Sequence, residues 1–244
     1  MKANILGVLI DKLNIYEVLE KIDVFLRDGK KHYIVTPNPE FLMQAKEDEE
    51  FKNILNLADI AVPDGFGLLL ASSWLGDRIK KRVTGVDLVW QLCRKINNTD
   101  YKIFLLGGGV GVAREAGEKL KKSFSGLRVV GAEEGMERRE FQLTNPELIK
   151  KINDASPDII FVAFGHGKQE KWIYYNLPKL NSVKIAIGVG GTLDYLSERV
   201  RRAPNILRRW GFEWLWRFFK EPWRWKRIYR ATILFPLTVL KYKR

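Results

Sequence analysis

Asp158-Ile159-Ile160-Phe161-Val162-Ala163-Phe164-Gly165 is the stretch on which the fold turns. Six apolar residues stand in an unbroken row between an aspartate and a glycine. The run is short for a helix, and it does not alternate as a half-buried strand would. It suits a strand covered on both faces, as in a parallel sheet flanked by helices. Lys102-Ile103-Phe104-Leu105-Leu106-Gly107 repeats the pattern. Outward from these two, strands are expected near 5–10, 32–36, 60–62, 102–106, 128–130, 158–163 and 184–188. Amphipathic helical patterns alternate with them near 15–27, 39–57, 67–75, 86–96, 112–124, 146–153 and 168–176. The alternation predicts an α/β fold: a Rossmann-like open, mostly parallel sheet flanked by helices. Thr144-Asn145-Pro146-Glu147 reads as a capping box with Pro near the first helical position. Thr84-Gly85-Val86-Asp87 has the related form.

Charge divides the chain in two. Residues 199–244 hold 14 Lys+Arg against 2 Asp+Glu, whereas residues 1–198 hold 28 against 27. The same tail carries five of the eight tryptophans: Trp210, Trp214, Trp216, Trp223 and Trp225. Cations interleaved with Trp and Phe suit an anionic, partly apolar surface such as lipid headgroups or lipid-linked phosphates. We therefore divide the chain into an α/β catalytic domain, 1–198, and a C-terminal helical basic and aromatic appendage, 199–244. Helices are expected at 205–220 and again from Pro222. On one continuous helix Arg217, Arg224 and Arg227 would fall within about 80° of arc, while Trp214, Phe218 and Trp225 would share an apolar face. The longest late apolar run, 231–240, contains Pro236 and is half the roughly 20 residues of a membrane span. The start of the chain does not read as a signal peptide. A peripheral protein is expected.

One cysteine, Cys93, excludes an internal disulfide framework and favours a reducing compartment. With His32 and His166 it does not make a zinc site.

Ligands of an open parallel sheet bind at the carboxyl ends of its strands, and four loops there carry unusual residues. Thr36-Pro37-Asn38-Pro39-Glu40 offers neutral hydrogen-bonding groups for sugar hydroxyls, or is simply a rigid turn with an N-cap. In Val62-Pro63-Asp64-Gly65-Phe66-Gly67 a lone aspartate follows a strand, either as an Asx turn or as a general base in a cleft. The Gly107-Gly108-Gly109-Val110-Gly111 loop stands where backbone N–H groups can hold a phosphate. It lacks the third dinucleotide glycine, because Val112 occupies that place, so a nucleotide or diphosphate fits better than NAD. Gly165-His166-Gly167-Lys168-Gln169-Glu170 leads into a helix, and Gln169 and Glu170 are placed to hold hydroxyls. Arg82 is a candidate phosphate partner, while Lys80 and Lys81 read as solvated charge.

Taken in order, TPNPE (36–40), ADIAVPDGFG (58–67), RVTGVDL (82–88), FLLGGGVGVA (104–113), GKQEKW (167–172), GVGGTLDYLSERVRRAP (188–204) and WGFEWLWR (210–217) form a pattern. It resembles that of the TagA/WecG/CpsF glycosyltransferases over nearly the whole chain. The combination is specific, although no single piece is. The resemblance implies transfer of N-acetylmannosamine from its UDP derivative to the 4-hydroxyl of N-acetylglucosamine on undecaprenyl diphosphate, giving a β-1,4 disaccharide. An α-linked donor giving a β product means inversion, hence one in-line displacement and one base. Asp64 matches the family's base, and Thr36, Asn38, Arg82 and Gln169 match its pocket. The resemblance places tail arginines over the site, with Arg217, Arg224 and Arg227 as candidates. The partners implied are the UDP-sugar, the lipid-linked acceptor and the cytoplasmic face of a bacterial membrane.

No cofactor is implied, and the chain has no D-x-D metal signature, so arginine would neutralise the departing UDP. Gly167 departs from the family's G-x-P-K-Q-E pattern, where a proline stands. Uronic acid donors serve some relatives and remain the alternative. A single-stranded nucleic-acid-binding tail and a nicotinamide enzyme are the rival readings; the first is disfavoured by the tail's Trp density, the second by the absent ribose-binding acid. Self-association through the tail in the absence of a membrane stays open.

Overall fold

Strands buried on both faces need two helical layers, and two cores form around one sheet. The computed structural model describes residues 1–134, 143–220 and 222–242, without the side chains of Arg209, Arg217, Lys220 and Arg224. Its main sheet has six strands: β3 (His32–Val35), β4 (Ile60–Ala61), β5 (Lys102–Gly107), β6 (Arg128–Glu133), β7 (Ile159–Ala163) and β8 (Ile185–Gly188). They lie in the order β4-β3-β8-β7-β5-β6, and every pairing is parallel. All of β3, β7 and β8 is buried, whereas no residue of the edge strand β6 is. Period-2 geometry then deals alternate side chains to opposite cores. Ile160 and Val162 of β7 join one cluster; Ile159, Phe161 and Ala163 join the other.

Helices α1 (Ile15–Phe25), α5 (Gly85–Ile96), α6 (Val112–Ser123) and α9 (Thr192–Leu196) cover one face. The other is covered by α2 (Pro39–Ala45), α3 (Glu49–Leu57), α4 (Phe66–Trp74), α7 (Pro146–Ala155) and α8 (Lys168–Asn176). The expected strand at 5–10 is instead a hairpin, β1 (Lys2–Ile5) paired antiparallel with β2 (Val8–Asp11). Leu6 and Gly7 make its turn with φ of 54° and 84°, the positive pair that a two-residue hairpin of the I′ kind requires. Asn4 Oδ1 accepts the Gly7 N–H at 2.9 Å. The expected helix 39–57 is two helices, because Asp48 caps the second by accepting the Phe51 N–H at 2.9 Å. The cap of α7 is Asn145, one residue after the expected Thr144.

The tail does not form the expected helix 205–220. Gly211, at φ 79°, separates α10 (Asn205–Arg209) from α11 (Glu213–Lys220). A 3₁₀ turn (Pro222–Arg224), α12 (Trp225–Tyr229), a π-helical stretch (Arg230–Leu234) and α13 (Phe235–Tyr242) follow. Phe235 and Val239 are buried in the same cluster as Phe41, Leu68 and Ala71, so the end of the tail belongs to the core. Its middle is open: Trp210, Phe219 and Trp223 are 67, 74 and 71 % exposed. No helix among the described residues is long and apolar enough to cross a membrane.

Candidate active site

The chain leaves β3 for the β4 edge and leaves β5 for the β6 edge, and β7 and β8 fill the centre. Loops at the carboxyl ends of β3 and β5 therefore diverge, which opens a crevice at a switch point. The crevice is a cavity of about 780 Å³, walled by the loops after β3, β4, β5, β7 and β8 and roofed by tail residues Gly211, Glu213, Trp214, Arg227, Ala231, Thr232 and Pro236.

Asp64 lies on the cavity wall. Its N–H donates to Pro37 O at 2.8 Å, and Pro63 O accepts from Val83 N at 3.0 Å, so the loop is tied on both sides. Its Oδ2 accepts the Gly85 N–H at 3.1 Å. Gly85 is the first residue of the 12-residue α5, so the carboxylate faces a helix N-terminus, where negative charge is favoured. A Cβ on Gly85 would stand 2.8 Å from Thr192 Oγ1 and 3.8 Å from Asp64 Oδ2. Only glycine lets α5 approach this closely.

The other expected residues divide. Thr36 is buried on the wall and donates to Gly188 O at 2.8 Å. Asn38 lines the cavity, and its Oδ1 caps α2 by accepting from Glu40 N at 2.9 Å and Phe41 N at 3.3 Å. Gly108 and Gly109 line the cavity; Gly107 is absent from the lining, and a Cβ there would meet Ala163 backbone at 2.6 Å. The Gly108 N–H is already given to Ala163 O at 3.0 Å, and the Gly111 N–H to Glu134 Oε1 at 2.8 Å.

Gln169 is buried on the wall, accepts from Gly190 N at 2.9 Å and donates to Glu170 at 2.6 Å. Glu170 is 0 % exposed, accepts the Gly167 N–H at 2.8 Å and does not reach the lining, so it braces Gln169 from behind rather than facing a ligand. Burial pushes its carboxyl up to about 7, against the opposing pull of the Gln169 and Gly167 hydrogen bonds. Gly167 has φ 81°, outside the range open to the proline of the G-x-P-K-Q-E pattern expected from the resemblance, and a Cβ would stand 2.5 Å from Gln44. Cys93 is buried, and burial pushes its thiol up to about 12, which leaves it inert as a nucleophile.

Three arginines on the wall, Arg82, Arg202 and Arg227, are ion-paired. Arg82 Nη1 stands 3.5 Å from Glu213 of the tail, and Nη2 donates to Arg208 O at 3.5 Å. Arg227 grips Glu40 with two hydrogen bonds, at 2.8 and 2.7 Å, and donates to His166 Nδ1 at 3.2 Å. The side chains of Arg217 and Arg224 lie outside the described residues, and the two arginines share no continuous helix with Arg227. Sequence reasoning missed Arg202, Glu213, Asp194 and Tyr195, all on the wall. Arg202 stands in the run 199–204, which reads from sequence as a junction between body and tail; its partner, Asp87, is 115 positions away, and no local pattern announces such a pair. A carboxylate facing a helix N-terminus, as Asp64 does, can take a proton from a hydroxyl, and arginines around the mouth can compensate an anionic leaving group.

Comparisons with known proteins agree in kind. The profile described as the glycosyl transferase WecG/TagA/CpsF family matches residues 3–244. A Bacillus spizizenii protein (strain W23) named N-acetylglucosaminyldiphosphoundecaprenol N-acetyl-beta-D-mannosaminyltransferase is 31 % identical over 220 residues, covering 90 % of this chain and 83 % of its own. Proteins of the same name from Bacillus subtilis (strain 168) and Staphylococcus aureus (strain MRSA252) are each 31 % identical. They cover 93 and 100 % of this chain and 90 and 94 % of their own.

Proposed function

The chain belongs to the WecG/TagA/CpsF family of glycosyl transferases, and from that premise we propose that it moves N-acetylmannosamine from UDP-N-acetylmannosamine to the 4-hydroxyl of lipid-linked N-acetylglucosamine. The lipid carrying that N-acetylglucosamine is the diphosphoundecaprenol of those relatives' names, and the product serves wall teichoic acid linkage. One observation carries the reading: Asp64 stands in the cavity with Oδ2 on the Gly85 N–H at the mouth of α5.

Asp64 accepts the proton of the acceptor hydroxyl as that oxygen attacks the anomeric carbon. The bond from that carbon to the β-phosphate oxygen breaks, and its electron pair leaves with UDP. Attack from the opposite face inverts the centre. Arg82 and the tail arginines, Arg227 among them, meet the charge of the diphosphate, exchanging Glu213 and Glu40 for it. Thr36, Asn38 and Gln169 line the sugar's place, and Gly108 and Gly109 the nucleotide's. With Arg82 and Arg227 assigned to the diphosphate and Arg202 held by Asp87, none of the three is left for a sugar carboxylate, which favours a neutral sugar over a uronate. No metal is required in this scheme.

The tail seats on anionic lipid at the cytoplasmic face through Trp210, Phe219, Trp223 and Trp225, all exposed. Without lipid the same side chains are free to mediate self-association. The test is to supply a short-chain N-acetylglucosamine diphospholipid with UDP-N-acetylmannosamine, UDP-N-acetylmannosaminuronic acid or UDP-glucuronic acid. Disaccharide-lipid from the first alone is expected. Product from a uronate donor only would overturn the donor assignment.

A further inference from the structure

The junction at 199–203 is fastened more tightly than a linker needs. Arg199 bridges Glu115 and donates to Val110 O at 2.6 Å. Arg201 O accepts from Trp216 Nε1 of α11 at 3.3 Å, and Ala203 is buried. Between these anchors, Arg202 reaches the first turn of α5. Its Nη1 donates to Asp87 Oδ1 at 2.8 Å and its Nη2 to Thr84 Oγ1 at 3.2 Å.

Those two partners are the cap of α5. Thr84 Oγ1 accepts the Asp87 N–H at 3.1 Å and donates to Asp87 Oδ2 at 2.6 Å. The residue inside the cap is Gly85, whose N–H holds Asp64 Oδ2. An unbroken set of contacts thus runs from α11 through Arg201, Arg202 and the α5 cap to the carboxylate.

We propose that Arg202 is a positioning residue for Asp64: by clamping the α5 cap from the tail side, it fixes the Gly85 N–H against the carboxylate and makes the base's orientation depend on a seated tail. This rests on the reading of Asp64 as the base. This route from Arg202 to Asp64 passes through α5, by way of Asp87 and Thr84. Its Nε is buried with no hydrogen-bond partner among the described residues, so a direct grip on the donor diphosphate is the rival role.

The two roles separate kinetically. Full-length Arg202→Ala and Asp87→Asn are each expected to lower kcat on the order of 10²-fold, the cost of a misplaced catalytic group. KM for the UDP-sugar should move less than about twofold. The double variant should be no worse than either single one, because both break one clamp. Arg202→Lys, which keeps one contact of two, should fall between. The neutral pair Arg202→Met with Asp87→Asn should recover melting temperature but not kcat, which a purely structural salt bridge would not do.

A raised KM with kcat intact would overturn the proposal in favour of diphosphate binding. Losses that multiply in the double variant, or an unchanged kcat, would overturn it outright. Asp64→Asn is run alongside. If it keeps turnover, the base reading falls and the clamp with it; if it is inactive while Arg202→Ala is normal, the clamp alone falls.

Discussion

Gly85 and Glu170 show how much a single residue can decide here. The Cβ of Gly85→Ala would press on Thr192 Oγ1, which is itself committed to Val189 O at 2.6 Å and has little freedom to yield. Either α5 retreats from Asp64 or the Thr192 bond breaks. We expect kcat to fall on the order of 10²-fold with the fold intact by circular dichroism. Glu170 makes a prediction about pH. Its carboxyl is raised to about 7 by burial from an ordinary value of 4.5. The folded state therefore binds the proton more tightly than the unfolded chain, and stability should fall as pH rises from about 4.5 through 7. The span is worth about 3 kcal/mol at most. Urea unfolding between pH 5 and 8 should show this slope in the native protein and a flatter one in Glu170→Gln.

At the scale of elements, the tail is part of the fold as well as of the site. Phe235 is buried against Phe41 and Leu68, and Val239 beside it is 0 % exposed. Phe235→Ala should cost about 3–5 kcal/mol in urea unfolding, an unusual penalty so near the end of a chain. The sequence made the parallel sheet legible because β7 and β5 are unbroken apolar runs, and the strand-end loops follow from that order. It made Asp64, Thr36 and Gln169 legible as cavity residues because they stand at strand ends. It hid the break at Asp48, since the apolar periodicity runs on across it, and the turn at Leu6, since leucine gives no warning of a positive φ. Asn38 shows both of its readings at once, capping α2 while lining the cavity. The ion pairs Arg202–Asp87 and Arg227–Glu40 join residues 115 and 187 positions apart. Such pairs are fixed by tertiary packing, and spacing along the chain says nothing of them.

At the scale of the whole molecule, charge and aromatic surface are gathered on the part that roofs the cavity. With 14 basic against 2 acidic residues in 199–244, partition onto anionic vesicles should weaken steeply as salt screens the cations. A remainder should survive at high salt through the exposed aromatics. Phe219→Ala with Trp223→Ala should remove that remainder while shifting stability by less than about 0.5 kcal/mol per site, as vesicle sedimentation and urea unfolding would register. Everything proposed for the cavity turns on Asp64 as the one base of an inverting sugar transfer. Its most direct test is single-turnover transfer from UDP-N-acetylmannosamine to a short-chain acceptor by Asp64→Asn, with donor affinity measured on the same protein. The rate of Asp64→Asn should be lower by about 10²–10⁴-fold, with affinity unchanged and a β-linked product from the native enzyme; a native rate in Asp64→Asn, or an α-linked product, would rule this base out.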